Sequence, residues 1–164
     1  MDDMSDVLVA YYSASGNTAR VARAIADRMS GDLFEIVPDP QYTAADLDYR
    51  DPSSRVCREH DDPSMRHVSL LDSAPEHFAR YSLVFVGYPI WWGVAAWPVN
   101  TFVTMNDFSG KTVVPFATSA SSPLALSAEK LSGETTTGAW EPGHRFQSLA
   151  TDAEVRDWLQ SLDV

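Results

Sequence analysis

The sequence predicts an α/β fold, a parallel sheet with helices against both faces. Three observations predict it. Apolar runs at residues 7–12, 82–87 and 111–117 are continuous rather than alternating, as strands buried on both faces require. Helical patterns with one apolar face lie among them. Each run ends in a short loop of small, polar or aromatic residues, the place where open α/β sheets bind ligands.

Residues 7–12 are the first strand, and 13–18 a small polar loop. In the helix that follows, Val21, Ile25 and Met29 share a face with Ala22 and Ala26 beside them. Ser30-Gly31 supplies a left-handed cap. Residues 33–37 read as the second strand, which completes a β-α-β unit with a right-handed crossover. Residues 38–75 contain Pro38, Pro40, Pro52, Pro63 and Pro75, and are expected to be irregular apart from a short helix over 43–49. The chain before this stretch is too short to fold alone, so residues 1–164 read as one domain rather than two joined by a linker.

The third strand is 82–87, followed by a loop over 88–93 and a helix over 94–106 with Pro98 in its first turn. The fourth strand, 111–117, leads into a second small polar loop, 118–122. Ser122 and Pro123 suit the N-cap and first position of a helix ending near Gly133. Residues 137–141 are expected as a fifth strand. Thr151 and Glu154 form a capping box for a last helix, whose Val155, Trp158, Leu159 and Leu162 share one face.

Composition narrows the function classes. The chain has 164 residues, 45% of them hydrophobic, enough for one sizeable core. No apolar run approaches the roughly 20 residues of a membrane span. The acidic opening Met1-Asp2-Asp3 lacks the basic segment of a secretory signal. Cys57 is the only cysteine, so no internal disulfide can form. A cytoplasmic protein is expected. The formal charge of −11 leaves no basic footprint for nucleic acid and repels anionic membranes. It suits basic protein partners, or serves solubility alone.

Chemistry concentrates in three strand-end loops. Ser13-Ala14-Ser15-Gly16-Asn17-Thr18 places hydroxyls, an amide and a glycine at a helix N-terminus, where free N–H groups and the helix dipole attract a phosphate. It has no lysine, so it is not a G-x-x-x-x-G-K-[ST] loop; capping the helix is the plainer role for such a loop. Tyr88-Pro89-Ile90-Trp91-Trp92-Gly93 carries adjacent tryptophans, able to wall a flat ring or to pack beneath the irregular segment. Thr118-Ser119-Ala120-Ser121-Ser122 is small and hydrogen-bonding, and lets a ring edge approach the backbone. Convergence of the three on one sheet edge makes a phosphate trap with aromatic walls.

The first loop resembles the (S/T)-x-(S/T)-G-N-T phosphate loop of the flavodoxin-like family. Gly87-Tyr88-Pro89-Ile90-Trp91-Trp92-Gly93 resembles the G-Y-P-I-W-W-G segment of a bacterial branch of that family, and Asp107-Phe108-Ser109-Gly110-Lys111 its D-F-S-G-K segment. The resemblance implies FMN, a five-stranded sheet in the order 2-1-3-4-5 within a three-layer α/β/α sandwich, and a redox role. It implies that Ser13, Ala14, Ser15, Gly16, Asn17 and Thr18 hold the phosphate. Pro89, Ile90, Trp91, Trp92 and Gly93 would line the ring, with Thr118, Ser119 and Ala120 near the ring or ribityl chain. The branch's T-S-G-G-S third loop is replaced here by Thr118-Ser119-Ala120-Ser121-Ser122. The expected function is electron carriage between protein partners, with an NAD(P)H-dependent FMN or quinone reductase as the alternative. The acidic balance is expected to disfavour the anionic reduced flavin and lower its potential.

Other sites find less support. A C-x5-R phosphatase spacing from Cys57 ends on Pro63, and a receiver domain would want an aspartate where Tyr88 and Pro89 stand. His60, His67, His77 and His144 show no metal-ligand spacing and read as surface or structural residues, residues 60–62 as a solvated turn.

Overall fold

The computed structural model describes residues 5–120, 122–135 and 137–162. Asp2 and Asp3 of the acidic opening and Ser121 of the third loop lie outside them. Strand β1 (Val7–Tyr11) pairs in parallel with β2 (Asp32–Glu35) on one side and β3 (Leu83–Trp91) on the other. The far end of β3 turns back as β4 (Val94–Ala95), antiparallel to it. β3 also pairs in parallel with β5 (Thr112–Thr118), and β5 with two short strands, β6 (Ala139–Trp140) and β7 (His144–Phe146). The order β2-β1-β3-β5-β6 is the expected 2-1-3-4-5, with β6 and β7 together in the fifth place.

Alternation along the strands sorts their side chains into two cores. Val9, Tyr11, Phe85 and Phe116 pack with Ile25 of α1 (Asn17–Met29) and Val155 and Trp158 of a C-terminal helix, Asp152–Ser161. Leu8, Ala10, Val84 and Val86 pack on the opposite face with Val99, Phe102 and Val103 of the helix Trp97–Thr104 and Leu131 of the helix Leu124–Gly133. In chain order these helices are α3 (Trp97–Thr104), α4 (Leu124–Gly133) and α5 (Asp152–Ser161), α2 being Arg55–Asp61. None of the described helices is long and apolar enough to cross a membrane.

Several boundaries differ from the sequence reading, for local reasons. Residues 88–91 continue β3 instead of forming a loop, and residues 94–95 are β4 instead of helix. Trp92 and Gly93 make the two-residue turn between them, with φ of +48° and +80°. Positive φ at both central residues is the hand that suits strand twist, but tryptophan seldom adopts it, so the turn gave no sequence signal. Helix α3 then begins at Trp97 with Pro98 in its first turn. Pro123, not Ser122, caps α4. The αL residue closing α1 is Ser30, and Gly31 N–H then reaches Ala26 O at 2.9 Å. The fifth strand is split because Pro142 lacks an N–H and Gly143 presses on β5; a Cβ there would meet Pro115 O at 2.1 Å.

The proline-rich stretch is an excursion whose ends meet. Asp39 N–H donates to Ser69 O at 2.8 Å and Leu71 N–H to Val37 O at 2.8 Å. Residues 43–49 form only turns, because Thr43 and Asp46 bond each other reciprocally and close a single turn. The helix lies later, at α2, capped by Ser54 Oγ on Cys57 N–H. Val56, Cys57 and Val68 pack on Trp97, which fastens the excursion to the sheet. Lys111 plays a similar role elsewhere. It is buried, and its three N–H donors reach the carbonyls of Phe78, Ala79 and Tyr81.

Candidate functional site

The carboxyl ends of β1, β3 and β5 build one cleft. At the first, Gly16 caps α1 with φ of +95°. Ser13 Oγ accepts from the N–H groups of Gly16 and Ala19, both at 3.1 Å, and so holds the loop from behind. Among the described residues, none accepts from the N–H of Ser15, Asn17 or Thr18. These unpaired donors lie at the positive end of a helix of 13 residues.

At the second end, the β3–β4 hairpin carries both tryptophans. Trp91 is half-buried and meets Tyr12, Tyr42 and Trp97 edge-on at 5.7, 5.5 and 5.0 Å. Trp92 is 45% exposed. It stacks on His60 at 4.2 Å and lies parallel to Trp97 at 6.0 Å. Residues 60 and 61 are thus helical rather than a solvated turn, and His60 supports an indole.

At the third end, Thr118 Oγ1 lies 2.7 Å from Thr18 Oγ1 and ties the third loop to the first. Ser119 Oγ donates to Ser122 O at 2.6 Å and accepts from Arg145 Nε at 2.7 Å.

The excursion roofs the cleft through the buried Glu59. Its Oε1 accepts from Tyr42 Oη at 2.5 Å and Trp97 Nε1 at 2.9 Å, and its Oε2 from Arg55 Nε at 3.2 Å. Arg55 also lies over the Tyr42 ring at 3.8 Å. Burial pushes the Tyr42 phenol above its ordinary range, and the hydrogen bond to Glu59 pushes it further. Burial does the same to Tyr12. The Tyr42 phenol therefore stays a protonated donor to the carboxylate.

The cleft measures about 390 Å³. Ala14, Ser15 and Asn17 line it from the first loop, Pro89, Ile90, Trp91 and Trp92 from the second, and Thr118 and Ser119 from the third. Ser13, Gly16, Thr18, Gly93 and Ala120 do not line it; the first three shape the loop and Gly93 makes the hairpin turn. Leu47, Tyr49, Val56 and Ser148 line it without having been expected. The first three come from the excursion, where only an exposed tyrosine in a polar stretch hinted at a role. A second hollow of about 210 Å³ lies against Tyr49, Ile90, Trp91 and Trp92. The whole is an aromatic-lined, largely apolar cleft opening onto neutral anion donors, which fits a planar ring carrying a phosphate tail.

Comparison with known proteins agrees with this geometry. A family model described as Flavodoxin matches residues 6–162. A crystal structure of a candidate flavoprotein from Bacteroides uniformis is 38% identical, with a TM-score of 0.88, 96% of this chain and 99% of that one being covered. A second, from Bacteroides eggerthii, is 40% identical with a TM-score of 0.84, covering 96% and 98%. A flavoprotein of Lactobacillus acidophilus in complex with FMN shares the fold at 21% identity, with a TM-score of 0.65 over 93% and 97% of the two chains. No curated protein matches the chain.

Proposed function

The chain belongs to the flavodoxin family, and on that premise we propose that it is an FMN-binding redox protein that carries electrons between protein partners. One observation carries the reading. A single cleft joins the unpaired N–H groups of Ser15 and Asn17 to the indoles of Trp91 and Trp92. FMN needs both halves, an anion cradle and an aromatic slot, and when bound it supplies one- and two-electron chemistry.

The chain's own residues do the rest. Ser15, Asn17 and Thr18 offer donors to the phosphate, and Gly16 turns the backbone toward it. Ile90, Trp91, Trp92 and Tyr49 shield the ring from water. Thr118 and Ser119 bring polar groups to its edge. The exposed rings of Tyr49 and Trp92 stand at the mouth, where a partner would meet the cofactor. The formal charge of −11 favours partners with a basic docking face. A cytoplasmic setting belongs to the same reading.

A second reading is an NAD(P)H-dependent FMN or quinone reductase. The hollow beside Tyr49 and Trp92 favours it, because a second planar ring could approach there. Steady-state NAD(P)H oxidation in the presence of a quinone separates the two, a carrier giving only background turnover.

The deciding experiment is incubation of the purified protein with FMN, desalting, and a visible spectrum. Retained oxidised-flavin absorption is expected. A colourless protein would overturn both readings.

A further inference from the structure

Arg145 stands on β7, beside Ala117 of β5 in register, while Phe146 pairs with Thr118. His144 stacks on Trp158 and Phe146 meets it edge-on, both on the α5 side, so alternation sends Arg145 to the other face, toward the third loop. Its Nε donates to Ser119 Oγ at 2.7 Å and its Nη2 to Ser119 O at 3.3 Å. Ser119 lines the cleft, so the guanidinium lies one hydrogen-bonded residue behind the wall. The same hydroxyl donates a hydrogen bond to Ser122 O at 2.6 Å, so one cation holds both ends of the loop.

The chain carries 23 acidic side chains against 12 basic ones. Even so, among the described residues no carboxylate pairs with Arg145. Its recorded partners are neutral. A partly buried cation with neutral partners keeps its field for whatever occupies the cleft, because it is screened less than an exposed one.

We propose that Arg145 positions the third loop and supplies the local positive charge that offsets the acidic chain, favouring the reduced, anionic form of bound FMN. The inference rests on the FMN reading. Reduction by a soluble donor such as dithionite brings two electrons and one proton to a neutral ring and leaves one negative charge in the cleft. Arg145 faces a neutral ring before that step and a negatively charged one after it, while the charge of the phosphate is the same in both states. Whole-chain acidity points the other way, toward a low potential, but exposed charges further than roughly 8–10 Å from the ring are largely screened.

The test uses the FMN-loaded protein, comparing wild type with Arg145→Met and Arg145→Lys. The two-electron midpoint potential is read against a reference dye and FMN affinity by flavin fluorescence. Arg145→Met is expected to hold reduced FMN about tenfold less tightly relative to oxidised FMN, a fall of about 30 mV. Arg145→Lys is expected to stay near the wild-type potential, while both variants bind oxidised FMN more weakly because Ser119 loses the fork. An unchanged potential in Arg145→Met would overturn the proposal. So would equal falls in both variants, which would assign the effect to loop geometry rather than charge. If Arg145→Met does not fold, Arg145→Gln gives the neutral comparison. Wild-type protein that binds no FMN would overturn the premise as well, a result read before any variant is made.

Discussion

The hydroxyl oxygens of Thr18 and Thr118 lie 2.7 Å apart, both residues being buried. This contact ties the first turn of α1 to the end of β5, and so couples the two polar loops of the cleft. Thr18→Val or Thr118→Val alone leaves a buried hydroxyl without its partner. Each single variant is expected to lose about 1–2 kcal/mol in urea denaturation of the apoprotein. The double variant should lose less than the sum, because both polar groups are then gone.

Glu59 joins Tyr42, Trp97 and Arg55 in one network beneath the roof. Glu59→Leu would leave a phenol and an indole N–H unpaired and a partly buried guanidinium without its counter-charge, its hydrogen bond to Pro40 O remaining. A loss of about 3 kcal/mol is expected, measured by denaturation, with Glu59→Gln losing less because its single amide oxygen still accepts part of the donor set. The roof positions Val56 and Tyr49, so FMN affinity should fall in parallel.

Trp92 contributes to the cleft more than to the core. Trp92→Ala is expected to weaken FMN binding by up to about tenfold, the scale of one aromatic contact, in a fluorescence titration. The apoprotein should unfold within a few degrees of wild type, because Trp92 is 45% exposed.

Gly93 occupies the hairpin turn with φ of +80° and open space around its Cα. Gly93→Ala therefore meets backbone strain and no clash, and about 1 kcal/mol of destabilisation is expected. A much larger loss in thermal denaturation would mean that the turn is packed in solution.

Alkaline pH should weaken the fold through its tyrosines. Burial raises the Tyr88 phenol from 10.0 to about 12, with the Ser127 hydrogen bond pulling it back a little. Burial, and then Asp32, raise Tyr81 to about 12. The folded state keeps these protons to higher pH than the unfolded chain does. Their contribution is therefore complete below about 10 and is lost as pH rises toward about 12. Urea midpoints followed through that window should decline, and Tyr88→Phe should make the decline shallower.

Parallel strands covered on both faces write long apolar runs, and these set the sheet and α1 legibly in the sequence. The capping pair Thr151 and Glu154 marked α5 in the same way, with Thr151 Oγ1 accepting from Glu154 N–H at 3.2 Å. Both signals are local: a strand's burial and a helix's first turn are decided by residues within a few positions. The phosphate-type loop is local too, since strand, loop and helix follow one another along the chain.

What the sequence left open depends on contacts between distant residues. The Trp92-Gly93 turn forms because Val94 and Ala95 find the edge of β3. Pro142 and Gly143 split the fifth strand against Pro115. Tyr49, Leu47 and Val56 reach the cleft because Glu59 and Trp97 anchor a proline-rich excursion that has no periodicity of its own. Arg145 gains its place behind Ser119 only through the register of β7 on β5. The sequence by itself determined the family scaffold and the residue types at its strand ends. Only the tertiary structure decided which side chains close over the cleft and which charge stands behind it, because burial and pairing across the chain select those positions and leave no repeat along it.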